Sequence, residues 1–140
     1  MRIAIIDGQG GGMGRALVTE LKNRLPEGHS MVALGTNAMA TAAMLKAGAH
    51  EGATGENAIV YNCKKADIIA GPIGIVLANS MLGELTPAMA QAVGESPAVK
   101  VLIPVEKCQT HVVGVAPQPM QQSVEQAAGY ICALANRGRA

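Results

Sequence analysis

The sequence contains very few aromatic and charged residues. Among 140 residues there is no Trp and no Phe, aromatic residues make up 1% and charged residues 15%, and the formal net charge is +1. A protein that binds nucleic acid needs a basic excess to neutralise phosphates or aromatic surface to stack bases, so we expect no nucleic-acid partner. Globular proteins carry about 25% charged residues. The low value favours a homo-oligomer whose subunit interface covers apolar surface.

Long apolar runs and a disulfide framework are also missing. The longest apolar stretch, residues 68–82, is interrupted by glycine, proline and asparagine, and it falls short of the roughly 20 residues that cross a bilayer. A predicted strand begins directly after the first two residues, so we expect neither a secretory signal nor a membrane partner. Cys63, Cys108 and Cys132 are an odd number without framework spacing. They favour reduced thiols and a cytoplasmic location.

Apolar runs alternate with segments of helical periodicity. Short continuous runs, typical of strands covered on both faces, lie at 3–6, 31–34, 67–70, 99–103 and 111–115. Amphipathic or capped segments predict helices over 13–25, 37–48, 55–65, 86–94 and from 119 onward. The alternation predicts an α/β fold with three layers, a Rossmann-like, doubly wound and mainly parallel sheet of about five strands, in a single domain over 1–140.

Local signals refine this prediction. Thr36 or Asn37 is expected to cap the second helix and Thr54 the third, and Thr86 followed by Pro87 is a favourable start for the fourth. The link before the strand at 111–115 has about seven residues, too few for a helical crossover. We therefore expect the last strand to be antiparallel or part of an edge hairpin.

A glycine-rich loop joins the first strand to the first helix. Glycines let the backbone turn sharply and approach a ligand, and the helix N-terminus offers free N–H groups and a partial positive charge to a phosphate. The sequence does not fit G-x-G-x-x-G, and it lacks the Lys and the hydroxyl residue of a P-loop. It does fit G-x-x-x-G-x-G at Gly8, Gly12 and Gly14. The alternative is a turn that only packs the helix against the sheet.

In this register the loop resembles the cofactor loop of the short-chain dehydrogenase/reductases. The resemblance implies NAD or NADP as cofactor and, for an enzyme, an NAD(P)-linked oxidoreductase. It also implies that Arg15 lies near the rim of the site. The pyrophosphate would be held by the backbone of Gln9, Gly10, Gly11, Gly12 and Met13.

Two features depart from that family. Asp7 stands where the family usually has a hydroxyl residue, and a carboxylate there repels phosphate unless a metal, a proton or Arg15 offsets it. Tyr61 and Lys65 have the spacing of the family's Tyr-x-x-x-Lys pair, but they precede the predicted third strand. Chance spacing accounts for that pair.

Other candidates follow further strands, because ligands of open α/β sheets gather at the carboxyl ends of strands. Gly35, Thr36 and Asn37 stand where dinucleotide-binding proteins usually carry an acidic residue, and they are candidates for contacting ribose or for capping a helix. A second group is either a loop that lets a flat ring lie against the backbone or an ordinary turn, and it comprises Gly71, Pro72, Ile73 and Gly74.

Three polar residues are candidates for contacting a substrate, namely Asn57, Asn79 and Glu84. For the last two, a solvated loop is the alternative. Cys108 and His111 place a thiol near an imidazole, but a metal site needs more ligands, so we expect no bound metal.

Beyond the loop, the order of segments resembles a short uncharacterised bacterial family, a domain of unknown function with a Rossmann-like core. The stretches that carry this resemblance are 6–12, 33–38, 52–58, 71–74 and 79–86. The resemblance implies a stand-alone domain and assigns no reaction. The sequence therefore predicts a protein that binds a nucleotide, NAD(P) before others, with its phosphates at residues 8–14. The alternatives are a non-catalytic module that senses a metabolite or scaffolds an oligomer, and an enzyme in which Asp7 holds Mg²⁺.

Overall fold

A five-stranded sheet forms the centre of the fold. The computed structural model describes residues 1–105 and 109–137. The strand order is β3-β2-β1-β4-β5, and all four pairings are parallel. The strands are β1 (Arg2–Asp7), β2 (Ser30–Gly35), β3 (Glu51–Thr54), β4 (Ile68–Pro72) and β5 (Val99–Ile103).

Five α-helices cover the two faces of the sheet. They are α1 (Gly12–Arg24), α2 (Ala38–Ala47), α3 (Glu56–Cys63), α4 (Pro87–Glu95) and α5 (Met120–Arg137), and a 3₁₀ turn, Ile73–Val76, follows β4. Side chains of a strand point alternately to opposite faces. Accordingly, Ile3 and Ile5 join the core formed with α1, α2 and α5, whereas Ala4 and Ile6 join the core formed with α3 and α4. The predicted three-layer α/β fold is confirmed.

Two sequence predictions about the sheet edges are wrong. Thr54, expected to cap the third helix, is the last residue of β3 and pairs with Gly35, and Gly55 stands at the N-cap of α3 instead. Sequence periodicity misses β3 because its residues are mostly exposed and carry no apolar run. Residues 111–115 form no strand, since the chain turns at Gly114, which has a φ of 88°, and Val113 is 88% exposed.

The edge of the sheet beyond β4 is therefore the parallel strand β5. The antiparallel strand or hairpin that the short link suggested is not found among residues 1–105 and 109–137. The count of five strands still holds, because β3 takes the place of the segment at 111–115.

The capping predictions for α2 and α4 are confirmed. The Asn37 side chain, rather than that of Thr36, accepts a hydrogen bond from the Ala40 N–H at 2.9 Å. Thr86 accepts one from the Met89 N–H at 3.2 Å, and a proline stands at the start of that helix. Each cap satisfies a backbone donor that the first turn of a helix leaves unpaired.

In the part of the chain that the structure describes, no helix is both long and apolar enough to span a bilayer. Cys63 and Cys132 are buried free thiols, and Cys108 lies outside the described residues.

Candidate functional site

The candidate site is a crevice between the carboxyl ends of β1 and β4. From β1 the chain proceeds to β2 on one side, and from β4 it proceeds to β5 on the other. Open α/β sheets bind ligands at such a switch point. A cavity of about 700 Å³ lies there, within the roughly 300–1,000 Å³ of small-molecule sites.

The structure places some of the sequence-predicted residues in the wall of this cavity and others outside it. The predicted residues that line the cavity are Asp7, Gly8, Gln9, Gly10, Gly11, Gly12, Met13, Pro72 and Gly74. Those that do not line it are Gly14, Arg15, Gly35, Thr36, Asn37, Asn57, Gly71, Ile73, Asn79 and Glu84.

Asp7 links the end of β1 to the start of α1. Its side chain is 5% exposed, and its two oxygens accept hydrogen bonds from the Gly8 N–H at 2.8 Å and the Gly14 N–H at 2.7 Å. Burial raises the pKa of Asp7, and the hydrogen bonds from Gly14 and Gly8 oppose that rise. The carboxylate therefore satisfies part of the N-terminus of α1 from within the protein.

The fold requires glycine at some positions of the loop but not at others. Gly11 has a φ of 72°, and a Cβ there would lie 2.8 Å from the Cα of Ala40, so the fold itself requires glycine. At Gly10 and Gly12 the backbone is outside the left-handed region, and a Cβ would meet nothing within 4 Å. Nothing in the fold requires glycine at these two positions, and both line the cavity.

Three amides at the start of α1 remain open to a ligand. The N–H groups of Gly10, Gly12 and Met13 have no hydrogen-bond partner among the described residues. The N-terminus of a helix carries a partial positive charge and unpaired donors, so such amides favour an anion.

Glu84 connects the loops that follow β1 and β2. Its Oε1 accepts hydrogen bonds from the Gln9 N–H at 2.9 Å, the Thr36 hydroxyl at 2.7 Å and the Asn37 side-chain amide at 2.8 Å. These donors, the Gln9 N–H foremost, hold the pKa of Glu84 below its ordinary value. The carboxylate is thus bound to the protein itself at the end of β2.

A left-handed turn precedes Glu84. Asn79, Met81 and Leu82 have φ values of 66°, 58° and 57°, and Gly83 continues with 89°. This conformation costs roughly 1–2 kcal/mol for each residue with a side chain. Met81 and Leu82 line the cavity, and Leu82 is 98% exposed. Sequence reasoning missed both residues because nothing in the chain marks a bulky residue as left-handed.

The far wall of the cavity comes from the chain between β5 and α5 and from the first turn of α5. The lining residues there are Pro104, Val105, Thr110, His111, Val112, Val115, Ala116, Pro117, Gln118, Met120 and Ser123. Sequence reasoning missed these lining residues because it predicted a strand at 111–115. Gly114, Pro117 and Pro119 could have indicated a loop. The suggested pairing of Cys108 with His111 falls partly outside the described residues.

Tyr61 and Lys65 lie away from this site. The Lys65 ammonium donates a hydrogen bond to the Tyr61 hydroxyl and lies 4.2 Å from the ring centroid. These contacts lower the pKa of Tyr61. Because α3 runs from the carboxyl end of β3 to the amino end of β4, the pair lies near the amino ends of the strands, whereas the glycine loop lies at their carboxyl ends.

Metal ligands are not clustered in residues 1–105 and 109–137. No group of three or more His, Cys, Asp and Glu side chains there has an arrangement that could hold an ion.

The model of a family described as DUF3842, a domain of unknown function, matches residues 2–136, so the chain belongs to this family. The membership confirms the whole-chain resemblance to an uncharacterised family. No curated protein matches the sequence.

Two crystal structures show a distant likeness to the fold. One is a dodecameric FMN-dependent Ubix-like decarboxylase from Escherichia coli O157:H7, with 13% identity and a TM-score of 0.48, over 94% of this chain and 76% of that chain. The other is NAD⁺-bound xylitol dehydrogenase, with 14% identity and a TM-score of 0.39, over 95% of this chain and 62% of that chain. This chain thus spans about three fifths of the length of the dehydrogenase.

Proposed function

We propose that this member of a family of unknown function binds a nucleotide, with a phosphate on the backbone amides of Gly10, Gly12 and Met13. The observation that carries the proposal is the open space at two glycines that the fold does not otherwise require. NAD and NADP are the nucleotides that the resemblance of the loop implies.

The electrostatics of the crevice support an anion that binds through backbone donors. The two oxygens of Asp7 already accept hydrogen bonds from Gly8 and Gly14, and the raised pKa of Asp7 makes its proton easier to retain beside a phosphate. The amides of Gly10, Gly12 and Met13 supply the opposing positive potential. The ligand is therefore held mainly by neutral donors.

The titratable side chains that line the described part of the cavity are Asp7 and His111. They are the groups available for proton transfer if the protein is an NAD(P)-linked oxidoreductase. The alternative is a non-catalytic module in which the same crevice senses a phosphorylated metabolite. Turnover of a bound nucleotide with a second substrate separates the two.

Thermal unfolding with AMP, NAD⁺, NADP⁺ and inorganic phosphate, with and without Mg²⁺, tests the proposal. A ligand at a hundred times its Kd adds about 2.7 kcal/mol to the free energy of unfolding. We expect at least one nucleotide to raise the Tm of the natural protein. This effect should be lost in Gly12→Val, because the new side chain enters the phosphate site formed by these amides.

Gly94→Val is the matched control. Gly94 is also a helical glycine at which a Cβ would meet nothing within 4 Å, and it does not line the cavity. The Tm shift should persist in this variant. No shift with any nucleotide, or an equal shift in Gly12→Val, contradicts the proposal.

A homo-oligomer is proposed as well. In α2, Met39 is 69% exposed and Leu45 is 40% exposed, and Lys46 is the one charged residue of the helix. Covering these side chains at a subunit interface removes apolar surface from water. Light scattering should give the mass of more than one chain and a lower mass for Met39→Asp, whereas a monomeric natural protein contradicts the proposal.

A further inference from the structure

We infer that the nucleotide is a mononucleotide, rather than the NAD or NADP that the resemblance of the loop implies. It lies between the glycine loop and the carboxyl ends of β4 and β5, and a dinucleotide extending over β2 is disfavoured. This inference rests on the proposed function, since it uses the same phosphate site at the amides of Gly10, Gly12 and Met13. It also specifies on which side of the glycine loop the sugar and the ring of the ligand lie.

The point at which a dinucleotide would place its ribose lies next to a carboxylate that already accepts three hydrogen bonds from the protein. Dinucleotide-binding sheets place a ribose at the end of the second strand, next to the glycine loop. Here the Glu84 carboxylate lies at that point and accepts hydrogen bonds from the Thr36 hydroxyl at 2.7 Å and the Asn37 amide at 2.8 Å. The Thr36 hydroxyl and the Asn37 amide are therefore already engaged, and a ribose at this point would have to share the Glu84 carboxylate with them.

The packing around Gly8 shows how closely this side is filled. A Cβ on Gly8 would lie 2.5 Å from the Thr36 hydroxyl oxygen, 2.7 Å from the Met81 sulfur and 3.2 Å from Glu84 Oε1. The loop after β1, the end of β2 and the turn at Met81 are therefore packed directly against one another at Gly8. The cavity accordingly includes neither Thr36 nor Glu84 in its wall.

The number of available donors also favours a single phosphate. The resemblance to the dehydrogenase loop assigns Gln9 to the pyrophosphate, but the Gln9 N–H donates to Glu84 at 2.9 Å. Gly10, Gly12 and Met13 have backbone N–H groups without a partner among residues 1–105 and 109–137, and three such donors suit one phosphate group. A second phosphate toward β2 would meet the Glu84 carboxylate instead and be repelled.

The open volume lies on the opposite side of the loop. Its walls are largely apolar, with Pro72 after β4, Pro104 after β5, and Val112 and Val115 in the following segment. Apolar walls with a few polar groups are typical of sites for flat rings. Gln118 is one such polar group, and its amide donates at 2.8 Å to the Ser123 hydroxyl. A base or flavin ring linked to one phosphate fits this arrangement.

Calorimetric titration of the full chain with AMP, FMN, NAD⁺ and NADP⁺ tests the inference. We expect AMP or FMN to bind at least about tenfold more tightly than either dinucleotide, and the binding to be lost in Gly12→Val. Dinucleotide binding as tight as that of both mononucleotides, still lost in Gly12→Val, overturns the inference and leaves the proposed function standing. Absence of binding by all four overturns both.

Glu84→Ala and Met81→Ala test the cause of the discrimination separately. Either change opens the cleft beside Gly8, so the advantage of the mononucleotide over NAD⁺ should fall by at least about fivefold. Met81→Ala removes no hydrogen-bond acceptor, so it provides the test if Glu84→Ala fails to fold. If a folded variant shows the same ratio of mononucleotide affinity to NAD⁺ affinity as the natural protein, the replaced side chain does not cause the discrimination.

Discussion

Glu84 accepts a hydrogen bond from the backbone N–H of Gln9 at 2.9 Å, although the two residues are 75 positions apart in the chain. The same carboxylate oxygen binds the side chains of Thr36 and Asn37. One side chain therefore fixes the loops after β1 and β2 relative to the segment that precedes α4.

Replacing Glu84 by Ala should destabilise the fold. Three donors lose their acceptor, so we expect the free energy of unfolding to fall by about 1–3 kcal/mol. Urea unfolding measures this, with Glu95→Ala as the control, because Glu95 is exposed and accepts a hydrogen bond from the side chain of Gln91 on the same helix. Equal losses in the two variants contradict a bridging role for Glu84.

Asp7 should make stability depend on pH. Its folded pKa is raised above the ordinary value of 3.8, mainly by burial, so the folded state retains the proton more tightly than the unfolded state does. The free energy of unfolding therefore decreases as the pH rises from 3.8 through the higher, folded pKa.

The comparison with Asp7→Asn isolates this effect, because other titrating groups cancel in the difference. Urea unfolding between about pH 4 and about pH 8 should show the advantage of the natural protein over the variant shrinking as the pH rises. An advantage that grows with pH contradicts the direction of the pKa shift.

Gly71→Ala should destabilise the sheet. A Cβ at this position would clash with the backbone carbonyl oxygen of Ile6 in the neighbouring strand β1, and backbone atoms cannot move aside cheaply. We expect a loss of about 1–3 kcal/mol by denaturant unfolding. Gly94→Ala, at a helical position with open space, should instead be neutral or stabilising, and the opposite order contradicts the explanation.

Gly12→Ala should separate stability from ligand binding. Gly12 is the first residue of α1, and alanine is favoured over glycine in helices by up to about 1 kcal/mol. We expect an unchanged or higher Tm without ligand and a smaller Tm shift with a binding nucleotide. A lower Tm without ligand would show that the fold, rather than a ligand, requires glycine at this position.

The buried strands and the helices with clear starts were predictable from the sequence. Ile3, Ile5 and their neighbours form a short continuous apolar run that is typical of a doubly covered strand, and Asn37 and Thr86 mark helix starts through a local hydrogen bond. Such signals depend on nearby residues alone. The edge strand β3 gave no such signal, because its side chains are mostly exposed and its pairing with β2 is determined by the backbone.

The site was predictable only in part, for a related reason. The position of the glycine loop followed from its place between a strand and a helix. The role of Glu84 did not, because a residue 75 positions away reaches the loop only once the sheet has formed. The left-handed turn at Met81 and Leu82 was equally hidden, since tertiary contacts impose it against the local preference of these residues.

The central strand has a consequence for the order of folding. β1 pairs with β2, where Arg2 meets Ser30, and with β4, where Ile3 meets Ile68. The chain between β1 and β4 is the longer of the two loops. Its closure costs conformational entropy before the strand pairing can stabilise it, which slows folding. The cover of α1 arrives later still, because α5 packs on it. A chain interrupted before α5 therefore leaves the apolar side of α1 open to water, and aggregation competes with completion of the domain.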